Sequence, residues 1–498
     1  MSEVKHYTTS AEDKVPIFQK AIYGLGMFTN NLVPAALGCM AVVLNLGLGM
    51  NPILIGYILS FPRLVDAFTD PIMGYISDNT ISRYGRRKPY IIIGAILLGI
   101  TFALMWRIGY GFSEMFYFWF FFFGFFVMFI FNTVFAIPFN ALGYEMTPDY
   151  HERTRVMAWA NWLGQLPWLL CPWFWWIMAN KTYYKTPVDG AMSIALWVGV
   201  AVVILGIMPG IFCREPFRAV ADGEMGNEKK PKVGIVEHAL GFFKGFGVTL
   251  KNTAFLKICA ATFLLFNGFM VIAGLSMYIF IYFTFGGDAA MGGKYNGLFG
   301  TTSALSTIFL VIPIVTRLAK KVGKKGAFII SASLSLLGFL MKWWCFNPKY
   351  SSLFVVHLPV IGDIQVLILL PAVLISFGIG SVFTLMGSMM GDTCDLDELN
   401  SGKRREGMFG AIYWWMVKLG QSLAFALSGY ILNATGFNVA FGANQSAGTL
   451  LKLRLFDIGL PIFTTLLAIF AIATYNVNEQ KCHEIRAELE KRRGKVAG

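Results

Sequence analysis

Arg63, Asp66, Thr69 and Asp70 fall together in the stretch "SFPRLVDAFTDPIMGYISD", inside an apolar run covering residues 51–77. A charged side chain at the centre of a bilayer costs about 2.5–3.5 kcal/mol even on lenient insertion scales. On a helix Asp66 and Asp70 share one face, with Arg63 and Thr69 on or beside it. Two acids with one base keep a net negative charge, and a buried uncompensated charge either takes a proton or acquires a counter-ion. Hard cations want several oxygen ligands, which two carboxylates and a hydroxyl supply. The expected chemistry is reversible cation binding, with proton binding at one acid as the other use of the same groups. A purely structural pairing of Arg63 with one Asp is the competing reading.

These groups must be carried by membrane helices. The 498 residues are 56% hydrophobic and 14% charged, where soluble domains average about 25% charged, which argues against a soluble enzyme. Apolar windows of about 20 residues or more read as twelve spans: 19–44, 51–77, 89–109, 115–143, 155–180, 190–213, 254–285, 295–319, 326–346, 363–390, 407–433 and 455–477. The net charge of +13 reports topology rather than nucleic-acid binding. With a cytoplasmic N-terminus, Arg107, Lys181, Lys185, Lys294, Lys342, Lys349, Lys452 and Arg454 fall outside, and Arg63 and Lys418 fall within spans. The remainder of the 41 Lys and Arg lie inside, as the positive-inside rule requires. The first 20 residues are polar and the first apolar run is long enough to span, so no cleavable leader is expected. The seven Cys suggest no disulfide framework and the five scattered His no zinc site.

The chain divides into a first six-helix bundle (1–214), a cytoplasmic linker with a surface helix near 233–250 (215–253), a second bundle (254–478) and a cytoplasmic tail (479–498). The halves echo one another. "PIMGYISDNTISRYGRRK" follows span two and "PIVTRLAKKVGKKG" follows span eight, each reaching a basic cluster around a glycine, Gly85 or Gly323. Aligning the Pro-Ile pairs sets Ile308 and Ile312 opposite Asp66 and Asp70, so the acids are dispensable for the architecture. Two parallel six-helix repeats predict an all-α integral membrane protein of major facilitator type. Asp78, Arg83, Arg86 and Arg87 in the span 2–3 loop, with Glu145, Arg153, Asp392 and Arg404, are expected to form an inner gate that locks the halves together in one state and breaks in the other. Helix capping is the alternative for these charges.

"RLVDAFTDPIMGYISD", with "YGLGMF" in span one, "AIPFNAL" in span four and "MVKLG" in span eleven, resembles the glycoside–pentoside–hexuronide:cation symporter family of the major facilitator superfamily, the family of melibiose permease. The likeness covers nearly the whole chain. It implies that Asp66, Asp70 and Thr133 form a sodium or proton site, with Arg63 beside the acids and Thr69 where the family has an Asn. It also matches the span-eleven Lys to Lys418 and a span-ten aromatic to Phe383. Positions where the family's sugar-binding acids and their neighbours stand hold Asn31, Ala136, Asn140 and Asn161 instead. Melibiose itself is therefore not the expected cargo.

Asn30, Asn31, Asn140 and Asn161 are expected to offer neutral donors and acceptors to sugar hydroxyls, with Phe383, Tyr413 and Trp414 as stacking surfaces. Lys418 either completes the charge network or meets an acidic sugar. The expectation is a non-enzymatic, monomeric, multi-pass inner-membrane symporter with both termini cytoplasmic. It needs no cofactor and couples a sugar, glycoside or sugar acid to sodium or protons. A cation-dependent lysolipid carrier and a non-transporting sensor are the alternatives.

Overall fold

The computed structural model describes residues 13–80, 82–147, 149–215, 252–359, 362–401 and 406–477, with 480–482, 484, 485, 488 and 489 of the tail. The anticipated surface helix at 233–250 and Arg404 lie outside the described residues.

Helix boundaries follow the polar punctuation of an otherwise oily chain. Span 1 (Ile17–Leu46) starts after Pro16, and Asn51 caps span 2 (Pro52–Asn79) by accepting from the Ile53 N–H at 2.9 Å. Ser113 caps span 4 (Glu114–Glu145), and Thr186 with Asp189 forms a capping box on span 6 (Pro187–Phe212). Such side chains satisfy the amide groups that a helix start leaves without partners. Span 3 is Lys88–Met105. Span 5 is broken after Gly164 into Tyr150–Gly164, Leu166–Leu170, Cys171–Trp173 and Phe174–Ala179, where Pro167 and Pro172 remove backbone donors.

In the second half, span 7 (Thr253–Tyr278) ends in a π-helical stretch, Ile279–Thr284. Span 8 begins at Ala289–Ser306, passes through a π stretch at Thr307–Val311, and continues into Ile312–Cys345. That last helix doubles back at Gly323 (φ 75°), so it contains both the end of span 8 and all of span 9. Span 10 holds Leu370–Ser381, a π stretch Val382–Met386 and Gly387–Ser401; span 11 is Glu406–Ala434 and span 12 Ala447–Ala473. Among the described residues nine helical stretches are long and apolar enough to cross a membrane. One of them folds into two crossings, and spans 5 and 11 complete twelve.

The repeat is visible in the packing. Spans 3–6, 1–6, 1–5, 3–4 and 2–4 pack together in the first half, and their counterparts 9–12, 7–12, 7–11, 9–10 and 8–10 in the second. Gly85 (φ 101°) and Gly323 (φ 75°) both adopt the left-handed backbone that side chains disfavour, at matching turns. One core runs from Val15 to Cys213 with Met277 and Ile281, and separate cores fill the second half. A departure from the all-α expectation is a hairpin between spans 9 and 10: β1 (Val355–Leu358) pairs antiparallel with β2 (Gly362–Gln365). The β-branched run there favours extended backbone.

The halves meet mostly at the end far from the termini. Span 2 lies along span 11 and span 5 against span 8. The first seam runs so close that a Cβ on Gly429 would stand 2.3 Å from the Pro52 carbonyl oxygen.

Candidate functional site

Midway along this span 2–span 11 seam, the acids of the opening motif meet side chains from two other helices. Helical spacing aligns Arg63, Asp66, Thr69 and Asp70 on span 2, and the packing of span 4 brings up Thr133. The Thr133 hydroxyl lies 3.4 Å from Asp66 Oδ1, 3.1 Å from Asp70 Oδ1 and 3.4 Å from Thr69 Oγ1. A threonine owns one hydroxyl proton, so it cannot donate to both carboxylates. Arg63 Nη1 donates to Asp66 Oδ2 at 3.2 Å, and its guanidinium stacks 4.5 Å over Phe129. From span 11, across the seam, Lys418 Nζ bonds to Asp70 Oδ2.

This pairing corrects the charge count made within span 2. Two bases face two acids, and the cluster is formally neutral. The four charges are not equivalent, however. The Asp66 side chain is 1% exposed, whereas Asp70 and Lys418 keep 21% and 25% exposure. Asp70 is thus only partly enclosed, and its partner belongs to the opposite half. Among the described residues no three His, Cys, Asp or Glu side chains gather as a metal cluster.

The seam beyond this cluster is knitted by further bonds between halves. Ser422 Oγ donates to the Ser60 carbonyl at 2.8 Å, and the Tyr57 and Tyr430 hydroxyls meet. Tyr278 donates to Asn45 Oδ1 at 2.9 Å, and Trp173 Nε1 to Thr301 Oγ1 at 2.8 Å.

The residues expected to face substrate are dispersed. Asn31 spends its amide on the Gly164 carbonyl at 2.8 Å, bracing span 1 against span 5. Asn30 contacts Met27 Sδ at 3.8 Å; Asn140 is half-buried and Asn161 exposed. Phe383 (56% exposed) meets Phe266 edge-on within the second half. Trp414 is exposed, while Tyr413 is buried with its hydroxyl 3.3 Å from Thr262 Oγ1. In this arrangement Tyr413 serves the core of the second half rather than a cavity wall.

The inner charges also depart from expectation. Arg86 Nη2 bonds to Glu145 Oε1 at 2.5 Å, and Arg87 reaches both Glu145 at 2.6 Å and Asp78 at 2.8 Å. Arg83 stacks on Tyr84, and Arg153 donates to the Thr147 carbonyl. In the second half Asp392 pairs with Lys324 at 2.5 Å. Each described pair joins residues of one half, so these bonds staple each bundle's own inner end instead of locking the halves.

Three features were missed. Glu215, assigned to the linker, accepts from the Arg86 and Arg87 backbone N–H groups at 3.1 and 3.2 Å. Glu152 holds the N-terminal segment through Lys20 at 2.5 Å and the Val15 N–H at 3.0 Å. Lys342, counted among the outer-side charges, is buried at 2.5 Å from Asp457, whose other oxygen accepts from Ser276 at 3.3 Å. A lone acid inside the apolar run "LRLFDIGLPIF" was the available signal for the last.

Comparison with known proteins agrees with this architecture. The sequence profile of a family described as MFS/sugar transport protein matches residues 22–479. The chain is similar to an uncharacterized symporter, YnaJ, of Bacillus subtilis (strain 168), at 25% identity over 96% of each chain. It is also similar to the glucuronide carrier protein homolog of Escherichia coli (strain K12), at 23% identity over 95% of each. A solved D-xylose-proton symporter superimposes with a TM-score of 0.61 at 14% identity, over 92% of this chain and 98% of that one. This last is a likeness of fold.

Proposed function

This chain belongs to the MFS/sugar transport protein family, and we propose that it imports a sugar, glycoside or sugar acid together with a cation, by alternating access between its two halves. The observation that carries the reading is the bond from Lys418 to Asp70 across the seam, beside a second carboxylate and a hydroxyl. The pair is a latch whose two parts ride on bodies that must separate, so Lys418 is a temporary partner for Asp70. When the halves part at the far end, Asp70 loses its ammonium, and a cation takes its place between Asp66, Asp70 and Thr133. Oxygens 3.1–3.4 Å apart suit the edge of a hard cation's shell of oxygen ligands. A sodium ion fits such a shell, and a proton on Asp70 neutralises the same charge.

Arg63, held over the Phe129 ring, pairs with the buried acid and orients it. Thr69 lends a hydroxyl at the rim. Lys418, released from Asp70, faces the space between the halves, where Asn140, Asn161 and Phe383 can meet a polyhydroxylated ring. The relative named for glucuronide makes an acidic sugar the first cargo to try. Coupling is reciprocal: whatever factor the cation adds to sugar affinity, the sugar adds to cation affinity. In this reading the division at 214 and 254 separates a cation-holding half from a half carrying the lysine, the protein acts as a monomer, and both termini face the cytoplasm of the inner membrane.

Uptake into proteoliposomes of a panel holding neutral glycosides and a glucuronide, in sodium against choline and across pH, tests the proposal. Wild type should require one cation, and Asp70→Asn should lose that requirement together with concentrative uptake. Cation-independent uptake by the variant at the wild-type level defeats the symport reading. Binding without counterflow makes the protein a sensor.

A further inference from the structure

Span 12 carries a feature on its lipid-facing side that the transport cycle does not use. Lys452, Leu455, Phe456, Gly459, Leu460 and Phe463 line an open groove of about 400 Å³. They recur at the spacing of one helix face. Leu455, Phe456 and Phe463 are 53%, 38% and 60% exposed, so the lining is apolar and outward-looking. Gly459 forms the floor, and a Cβ built there meets nothing within 4 Å. The groove is therefore a dent made by a missing side chain.

Two further observations say what fills it. From Lys452 to Phe463 the helix rises about 16 Å, roughly half of a hydrocarbon core of ~30 Å, the depth of one leaflet. Lys452 is exposed and has no ion-pair partner among the described residues. It stands within two turns of the start of the helix at Ala447, at the level of lipid headgroups. An ammonium at one end of a leaflet-long apolar trough matches the outline of one phospholipid.

We propose that this groove is a binding site for an anionic phospholipid, with the phosphate on Lys452 and one acyl chain laid across Gly459. One exposed ammonium beside a headgroup of net negative charge is worth at most about fivefold in affinity. The chain contributes affinity regardless of headgroup, so the two halves of the site are separable by mutation.

The test is native mass spectrometry of the detergent-solubilised protein titrated with palmitoyl-oleoyl phosphatidylglycerol, the matching phosphatidylcholine, or inorganic phosphate. Wild type should bind the glycerol lipid more tightly than the choline lipid, by at most about fivefold, and inorganic phosphate not at all. Lys452→Gln should bind the two lipids equally. Gly459→Leu, which fills open space, should weaken both lipids together while tryptophan fluorescence reports an unchanged fold. Equal binding of the lipids by wild type, a headgroup preference that persists in Lys452→Gln, or lipid binding untouched in Gly459→Leu each overturns the site. Phosphate binding as strong as lipid binding overturns the role of the chain. Dimers that vanish in Gly459→Leu mean that a second copy of this chain occupies the groove instead.

Discussion

Two lysine–aspartate pairs lie inside the membrane region of this protein, and they differ in everything but chemistry. Lys342 and Asp457 join spans 9 and 12 of the same half, 2.5 Å apart, with side chains 1% and 2% exposed. Ser276 bonds the second carboxylate oxygen, and Arg454 stacks nearby between Phe283 and Trp343, 4.1 Å from each ring. Asp70 and Lys418 join opposite halves, each with more than a fifth of its side chain exposed, beside a spare carboxylate and a hydroxyl. Separating charges in a dry interior is far costlier than separating them beside water. The first pair is a rivet within one rigid body. The second is a contact that rocking of the halves must break, between groups that are already partly uncovered.

The sharpest test of that contrast removes one partner of the rivet. Asp457→Leu strands the Lys342 ammonium and should destabilise the protein by about 3–5 kcal/mol, read as a large fall in the thermal unfolding midpoint in detergent. The double variant Lys342→Met with Asp457→Leu should recover most of that loss, since apolar residues often replace a buried pair at little cost. A double variant as unstable as the single one would show that the pair does something beyond neutralising itself.

Glu152 is an intermediate case: buried, yet at the inner end of the bundle. Burial pushes its carboxyl up, but the Lys20 ammonium, the Val15 N–H and the Arg155 guanidinium outweigh that and hold it below the usual carboxylate range. A depressed folded-state pKa adds stability above the unfolded value of about 4.3, and that stability is lost as pH falls through the folded value. Glu152→Gln should therefore cost about 1–3 kcal/mol at neutral pH, and its gap to wild type should narrow below about pH 4. A gap that stays constant with pH would assign Glu152 a packing role only.

What could be read in advance, and what could not, follows the same division. Asp66 and Asp70 were legible because helical spacing and an oily setting are local properties. Gly85 and Gly323 were legible as partners because a tight turn after the same helix needs the same backbone. Thr133 came only through family resemblance. The register that placed Ile308 and Ile312 opposite the two acids holds in sequence, although Ile308 stands in the π stretch Thr307–Val311 and Ile312 opens the α-helix after it. The Lys418–Asp70 bond joins residues 348 apart, and no local pattern orders such a contact; sequence alone left it beside the acidic-sugar alternative. The inner charges were legible as a network but not in their pairing, because which carboxylate an arginine takes depends on how far apart the halves stand.

The smallest expected change in stability, and the most informative about mechanism, belongs to Lys418. A pair with 25% and 21% of its side chains uncovered is worth nearer the ~1 kcal/mol of an open pair than the cost of a sealed one, so Lys418→Gln should lower the unfolding midpoint far less than Asp457→Leu does. If the lysine and the coupling ion compete for Asp70, removing the lysine should tighten cation binding by about fivefold, the factor that 1 kcal/mol supplies. Isothermal titration of sodium into wild type and variant measures this directly. The same variant should transport poorly, because the ion now binds without first being exchanged for an ammonium, and the far-end seam has lost its charged tie. Weaker cation binding in Lys418→Gln would mean that the lysine organises the site, and the latch would have to be sought elsewhere along the seam. A loss of stability comparable to that of Asp457→Leu would be more damaging still, for it would make both pairs rivets and remove the distinction on which the exchange rests.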